Sequence, residues 1–245
     1  MQVLKNQDTM MLYSARPLTA IVPPKPCFLM KYPNPTSADI LQRGIYEQSL
    51  IDWSKSFCSA SKKFIDIGAH MGTYSILLAP YCAEVHSFEA QRMTYYQLCG
   101  AIALNHQANI FAHQVALGAK EQSGSRMTLN IVSDDGGGST LRADIVPQVA
   151  PRVLAQESVE VKCLDDFGLE QVGFLKLDVE GYELNVIKGS IATLSDSDYP
   201  PFIFEVWPNE WYSSSRKELF DFVEELEYKI SPIANYNNMF LATRK

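Results

Sequence analysis

Basic residues are in short supply: 21 Lys and Arg stand against 28 Asp and Glu, a net charge of −7. Such a chain lacks the positive excess that neutralises phosphates, so neither non-specific nucleic-acid binding nor an anionic membrane surface is expected. No apolar run approaches the roughly 18–20 residues of a membrane-spanning helix. The N-terminus, MQVLKNQDTMML, has no signal-peptide core, and the expectation is a cytoplasmic protein. Cysteine is sparse and scattered (Cys27, Cys58, Cys82, Cys99 and Cys163) with no C-x-x-C pair. That spacing argues against a zinc or redox centre and for buried, reduced thiols. There is no G-x-x-x-x-G-K-[ST], which excludes a nucleotide-triphosphate P-loop.

With 245 residues, 47% of them apolar, the chain can bury one large α/β core. Residues 1–36 hold Pro17, Pro23, Pro24, Pro26, Pro33 and Pro35, which predicts an irregular arm. Ser37 to Phe57 reads as a helix capped by Ser37, so residues 1–60 form an N-terminal arm and helix. From residue 61 short apolar runs alternate with helical ones. Strands are predicted at 64–67, 84–88, 109–116, 174–179 and 202–207. Helices are predicted at 74–81, 92–105 and 182–194. This alternation implies a mostly parallel sheet covered on both faces. An insertion at about 121–163 carries Asp134-Asp-Gly-Gly-Gly-Ser-Thr between strand-like flanks. Near the end, Ser215-x-x-Glu218 reads as a capping box. Two strands around Asn235-Tyr-Asn-Asn then predict a closing hairpin with the one antiparallel strand.

The segment Phe64-Ile-Asp-Ile-Gly-Ala-His-Met-Gly runs a strand into a turn over Gly68 and Gly72. Glycine there permits the turn and a close ligand approach. Glu89 ends the next strand about 20 residues on, the placement of an acid that accepts both ribose hydroxyls. A dinucleotide would set its pyrophosphate against this turn, yet His70 takes the central glycine position and Asp66 stands at the mouth. S-adenosylmethionine carries an ammonium and a sulfonium and no phosphate, so nearby carboxylates favour it.

The fourth strand, Phe174-Leu-Lys-Leu-Asp-Val-Glu-Gly-Tyr-Glu, puts Asp178 at a strand tip, where an open parallel sheet forms its ligand crevice. Lys176 inside an apolar strand is best read as one half of a salt bridge. Together with Phe-Glu-Ala (88–90), Ala-Leu-Asn (103–105), Val-Ala-Leu-Gly (115–118) and Leu-Asp-Asp-Phe (164–167), these motifs resemble the FkbM-type methyltransferase domain over about residues 62–207. The resemblance implies a class I methyltransferase, a Rossmann-like α/β fold with a seven-stranded, mostly parallel sheet. It implies O-methylation of sugars or polyketide-type hydroxyls, with Asp66, Gly68, Gly72 and Glu89 as cofactor contacts. Ala69, His70, Ala90 and Ala116 complete the expected cofactor set. The chain departs from the family in His70, where asparagine is usual, and in Ala90, where proline is frequent.

Methyl transfer to a hydroxyl needs a base for the hydroxyl proton. Asp178 is the first candidate and Glu205, ending the fifth strand, the second; Glu180 and His70 also lie near the crevice. Asp178 with Glu205 could instead hold a divalent ion. The expected partner is a small-molecule or glycan acceptor rather than nucleic acid, because the chain has no Asn/Asp-Pro-Pro-aromatic segment after the fourth strand. A nucleic-acid or small-molecule methyltransferase of the same fold, and a non-catalytic cofactor-binding domain, are the alternatives. The aromatics of Trp207-Pro-Asn-Glu-Trp211-Tyr read equally as a sugar platform or as core.

Overall fold

A computed structural model describes residues 2–6, 10–14, 26–31, 40 and 42–245. Strand β1 (Gln2–Asn6) pairs with β2 (Met10–Ser14), and β2 with β3 (Cys27–Lys31), all antiparallel. Parts of the expected irregular arm are therefore sheet. β1 and β2 precede the first proline, Pro17, and β3 lies between Pro26 and Pro33, so every strand residue keeps its donor. Of the prolines that suggested irregularity, Pro26 alone falls within the described residues, just before β3. β3 is pinned to the helix Arg92–Asn105: Cys27 N–H donates to Asn105 Oδ1 at 2.9 Å, and Asn105 Nδ2 returns to the Cys27 carbonyl at 2.6 Å. The cap proposed at Ser37 lies outside the described residues. Within them residues 40, 42 and 43 are helical, the chain breaks at Gly44 (φ 95°), and a second helix runs Gln48–Ser54, followed by a 3₁₀ turn to Phe57.

The main sheet is built from β4 (Lys63–Ile67), β5 (Glu84–Phe88), β6 (Ile110–His113), β10 (Val172–Leu177), β11 (Phe202–Glu205), β12 (Tyr228–Ile233) and β13 (Tyr236–Arg244). Its order is β12-β13-β11-β10-β4-β5-β6. The five strands from β11 to β6 run parallel, and β13 is antiparallel to both of its neighbours. This is the seven-stranded sheet with a closing hairpin that the sequence implies. The central strands are buried almost end to end, as both-faces-covered parallel strands must be. Alternation divides their side chains between two cores: Phe64, Phe174 and Ile203 on one face, Ile65, Leu175, Phe202 and Phe204 on the other.

Three expectations shift. The predicted strand 109–116 breaks after His113, and Ala116–Leu117 (β7) joins a third sheet of order β7-β9-β8, with β8 (Arg126–Ile131) and β9 (Ala155–Lys162) from the insertion. The predicted helix 182–194 divides into Glu183–Lys188 and Ile191–Asp196 around Gly189. A Cβ at Gly189 would stand 2.0 Å from the Gly118 carbonyl oxygen, so close packing requires glycine at the break. The last helix starts at Ser213, so Ser215 lies inside it and caps nothing; its hydroxyl accepts from Arg142 at 3.1 Å. No helix among the described residues is long and apolar enough to cross a membrane.

Candidate functional site

The tips of β4, β5, β10 and β11 open onto a cavity of about 390 Å³. Gly68 leaves β4 at φ 76°, and a Cβ there would fall 1.8 Å from the Asp178 carbonyl oxygen. The glycine thus lets β4 and β10 close together; its first service is to the chain itself rather than to a ligand. Gly72, at φ 90°, is required by Leu98 of the helix Arg92–Asn105, whose Cδ1 would stand 2.7 Å from an added Cβ. Gly72 does not line the cavity, and neither does Asp66.

Asp66 is fully buried and accepts from the Ser75 amide (3.0 Å) and hydroxyl (2.5 Å), fixing the first turn of the helix Thr73–Leu78. Its Oδ1 has no hydrogen-bond partner. Burial pushes its carboxyl up, and the Lys176 charge opposes that. The expected direct contact to a cofactor is therefore replaced by a support beneath the turn.

Gly68, Ala69, His70, Glu89, Ala90 and Ala116 all line the cavity. Glu89 is held at both oxygens: Oε2 accepts the His70 amide and Oε1 the Gln91 amide, each at 2.9 Å. Each oxygen keeps a further lone pair, so the carboxylate offers two aligned acceptors to a diol. Burial raises the Glu89 pKa, and the His70 charge and both amides work against it.

Across the cavity Lys176, 4% exposed, bridges Asp178 (3.0 Å to Oδ2) and the Gly68 carbonyl (3.0 Å) and lies over the Tyr74 ring. The salt bridge expected of this lysine is present. Burial pushes Asp178 up, but the Lys176 charge and a hydrogen bond with Glu205 hold it below the ordinary carboxylate range. Glu205 is driven the other way: burial and the charges of Asp178 and Glu180 push it up to about 11, so at neutral pH it is the protonated member of the pair. Asn238 donates to Glu205 Oε1. Glu180, at φ 53°, is raised to about 8 by burial and by the charges of Asp178 and Glu183. Asp178, Glu180 and Glu205 each offer an oxygen within 4.8 Å of the others, and these three could hold a divalent cation.

Sequence reasoning missed the other walls. Tyr46 and Glu47 close one side, and Glu47 Oε2 accepts the Tyr74 hydroxyl at 2.8 Å. The insertion supplies residues 135–139 and Leu141 on another. No periodicity marks either segment, and the run of three glycines at 136–138 was the one signal the sequence offered. Trp207, Trp211 and Tyr212 pack on one another and against Gly181 rather than on the cavity.

Glu47, Glu89, Asp135, Asp178, Glu180 and Glu205 face the cavity, and among the described residues Lys176 is the one lysine and no arginine lines it. Such a lining suits a ligand bearing positive charge and a diol and repels a pyrophosphate. S-adenosylmethionine meets both conditions.

Comparison with known proteins points the same way. The model of the methyltransferase FkbM domain matches residues 66–230. "Methyltransferase 1" of Beauveria bassiana is 29% identical over 144 residues, 51% of this chain and 57% of that one. Methyltransferase FkbM from Methylobacillus flagellatus superimposes with a TM-score of 0.52 at 19% identity, over 75% of this chain and 44% of the other. A precorrin-6y C5,15-methyltransferase from Geobacter metallireducens gives a TM-score of 0.50 at 11% identity, over 83% and 92%. The chain spans 57% and 44% of the first two relatives' lengths. The structural likenesses establish the class I methyltransferase fold, and the match over residues 66–230 establishes that the chain belongs to the FkbM methyltransferase family.

Proposed function

We propose that the protein is an S-adenosylmethionine-dependent O-methyltransferase whose acceptor is a hydroxyl of a sugar or glycan. The observation that carries this reading is Asp178 at a strand tip, 3.0 Å from Lys176, on the cavity that Glu89 and Glu205 also line. Residues 61–245 form the transferring unit with its insertion at 121–163. The N-terminal segment completes the cavity through Tyr46 and Glu47.

The cofactor supplies an electrophilic methyl on a sulfonium. Glu89 would take the ribose hydroxyls, while Gly68, Ala69 and Ala90 would give backbone and small side chains against which a nucleoside could pack. Ala116 belongs to the same wall. Asp178 orients the acceptor hydroxyl in line with the carbon–sulfur bond. Transfer would form the carbon–oxygen bond as the carbon–sulfur bond breaks and the neutral thioether leaves; the hydroxyl proton would then be strongly acidic, and a carboxylate of low basicity such as Asp178 would suffice to take it. Glu205 keeps its own proton and holds Asp178 in place. A divalent cation on Asp178, Glu180 and Glu205 is the alternative way of orienting the acceptor.

The test is methyl transfer to sugar, nucleotide-sugar and phenol panels, read by mass spectrometry. Asp178→Asn should lower kcat on the order of a hundredfold or more and leave S-adenosylhomocysteine affinity nearly unchanged. Full turnover in Asp178→Asn passes the role to Glu205, and methylation confined to a base nitrogen or a protein side chain overturns the hydroxyl assignment. Activity lost to a chelator and restored by magnesium selects the cation-assisted version.

A further inference from the structure

We propose that His70 is the latch of a glycine lid: its imidazole ties the loop 133–139 across the cavity and thereby sets how fast a bound cofactor leaves. The inference rests on the reading that this cavity holds S-adenosylmethionine.

His70 makes two hydrogen bonds with different jobs. Its backbone amide clamps Glu89 Oε2, as described. Its ring Nε2 lies 2.8 Å from the backbone oxygen of Asp135. A carbonyl oxygen can only accept, so Nε2 carries the proton and donates. That use removes Nε2 from the list of candidate bases, a correction to the sequence reading. It joins the cofactor turn to the insertion, 65 positions further along the chain.

The loop is built to sit down and to lift. Gly136 (φ 89°) and Gly138 (φ 75°) flank Gly137, and backbone without side chains changes conformation at little energetic cost. Gly136 rests on the start of the helix Arg92–Asn105 so closely that a Cβ would stand 2.2 Å from Thr94 Oγ1. The far end is held separately. The Gly138 amide donates to the Glu180 carboxylate, and Thr140 Oγ1 donates to the Glu180 carbonyl at 2.7 Å. Thr140 also exchanges backbone hydrogen bonds with Asn130 at 2.9 and 3.0 Å, anchoring the loop to β8. The loop thus hinges near Thr140, crosses the cavity, and is fastened at its other end by His70. The ribose acid and the lid share that residue, so opening the lid uncovers the Glu89 end.

The experiment compares wild type with His70→Ala and His70→Gln. Both variants keep the amide that clamps Glu89, and both bear the same left-handed backbone. Glutamine places its amide nitrogen about where Nε2 stands and can donate to Asp135. Two quantities are read: amide hydrogen exchange of residues 133–140 in the ligand-free protein, and the dissociation rate of S-adenosylhomocysteine. One neutral hydrogen bond corresponds to about two- to tenfold. We expect His70→Ala to raise both rates by that factor and His70→Gln to return both toward wild type, with exchange in β4 and β10 unaltered. Unchanged loop exchange in His70→Ala overturns the latch. So does a matching rise in β4 and β10, which makes the effect global, or failure of His70→Gln to restore. If wild type binds no S-adenosylhomocysteine, the cofactor reading fails, while the exchange comparison still decides whether His70 holds the loop.

Discussion

Replacing Lys176 by methionine tests the electrostatic core of the site without any substrate. The lysine is 4% exposed and stands 3.0 Å from Asp178, with buried Asp66 and half-buried Glu47 also within its influence. Methionine fills similar space but leaves these carboxylates without their cation and the Gly68 carbonyl without its donor. Breaking a buried pair from one side costs about 3–5 kcal/mol. Unfolding entropy of about 2.1 cal/mol/K per residue amounts to roughly 0.5 kcal/mol/K for a chain of this size, so Lys176→Met should lower Tm by about 6–10 °C near neutral pH. The gap should narrow in acid. In wild type the Asp178 pKa is depressed, so its stabilisation is complete above the unfolded value and is lost as pH falls through the folded one. In Lys176→Met the three carboxyls lose the charge that holds them down, so their penalty is complete above the folded pKa and vanishes as pH falls toward the unfolded value. The two stability curves therefore converge. Urea unfolding of both proteins at about pH 7.5 and about pH 5 measures this. A difference under about 1 kcal/mol at the higher pH, or one that does not shrink at the lower, refutes the reasoning.

Three further outcomes follow from the geometry. Glu89→Ala should weaken S-adenosylhomocysteine binding by about 1.5–3 kcal/mol, the scale of hydrogen bonds to a charged group, and unchanged affinity in calorimetry ends the ribose assignment. His113, stacked between Phe88 and His86, is lowered to about 4 by burial, then by the charges of His86 and Lys162, against an ordinary 6.5. The unfolded chain then binds the extra proton first, so wild type should lose stability as pH drops from about 6.5 to about 4, and His113→Phe should flatten that slope in denaturant titrations. Gly68→Ala places a Cβ 1.8 Å from the Asp178 backbone oxygen, where no side-chain shift relieves the clash; it should fail to yield a cooperative thermal transition by circular dichroism, and a melt like wild type's contradicts the packing argument.

What the sequence made legible followed local rules. Strand β5 and the helix Arg92–Asn105 fall where apolar spacing places them. Glu89 and Asp178 reach the cavity because a strand's end is a fixed place in a parallel sheet. What stayed hidden depended on distant partners. Asp66 reads the same whether it faces a ligand or Ser75, since both lie past the same strand tip. Gly189 is required at the helix break because of Gly118, which local propensity cannot register. Glu47 and the glycine loop enter the site through tertiary contacts alone, with Tyr74 and His70. β1 and β2 pair beside β3 in a stretch whose prolines outweighed its short apolar runs.

The step from β6 to β7 divides the cavity's ownership. The carboxylate edge belongs to the long sheet, whose parallel strands share one register. Ala116, Leu117, Leu129 and the glycine loop belong to the small sheet and its insertion. Mutational drift in the insertion therefore remodels the ligand's surroundings without disturbing the hydrogen bonding that positions Asp178 and Glu205. A chimera that exchanges 121–163 while retaining the long sheet would change one wall of the cavity and keep the strand tips that carry Asp178 and Glu205.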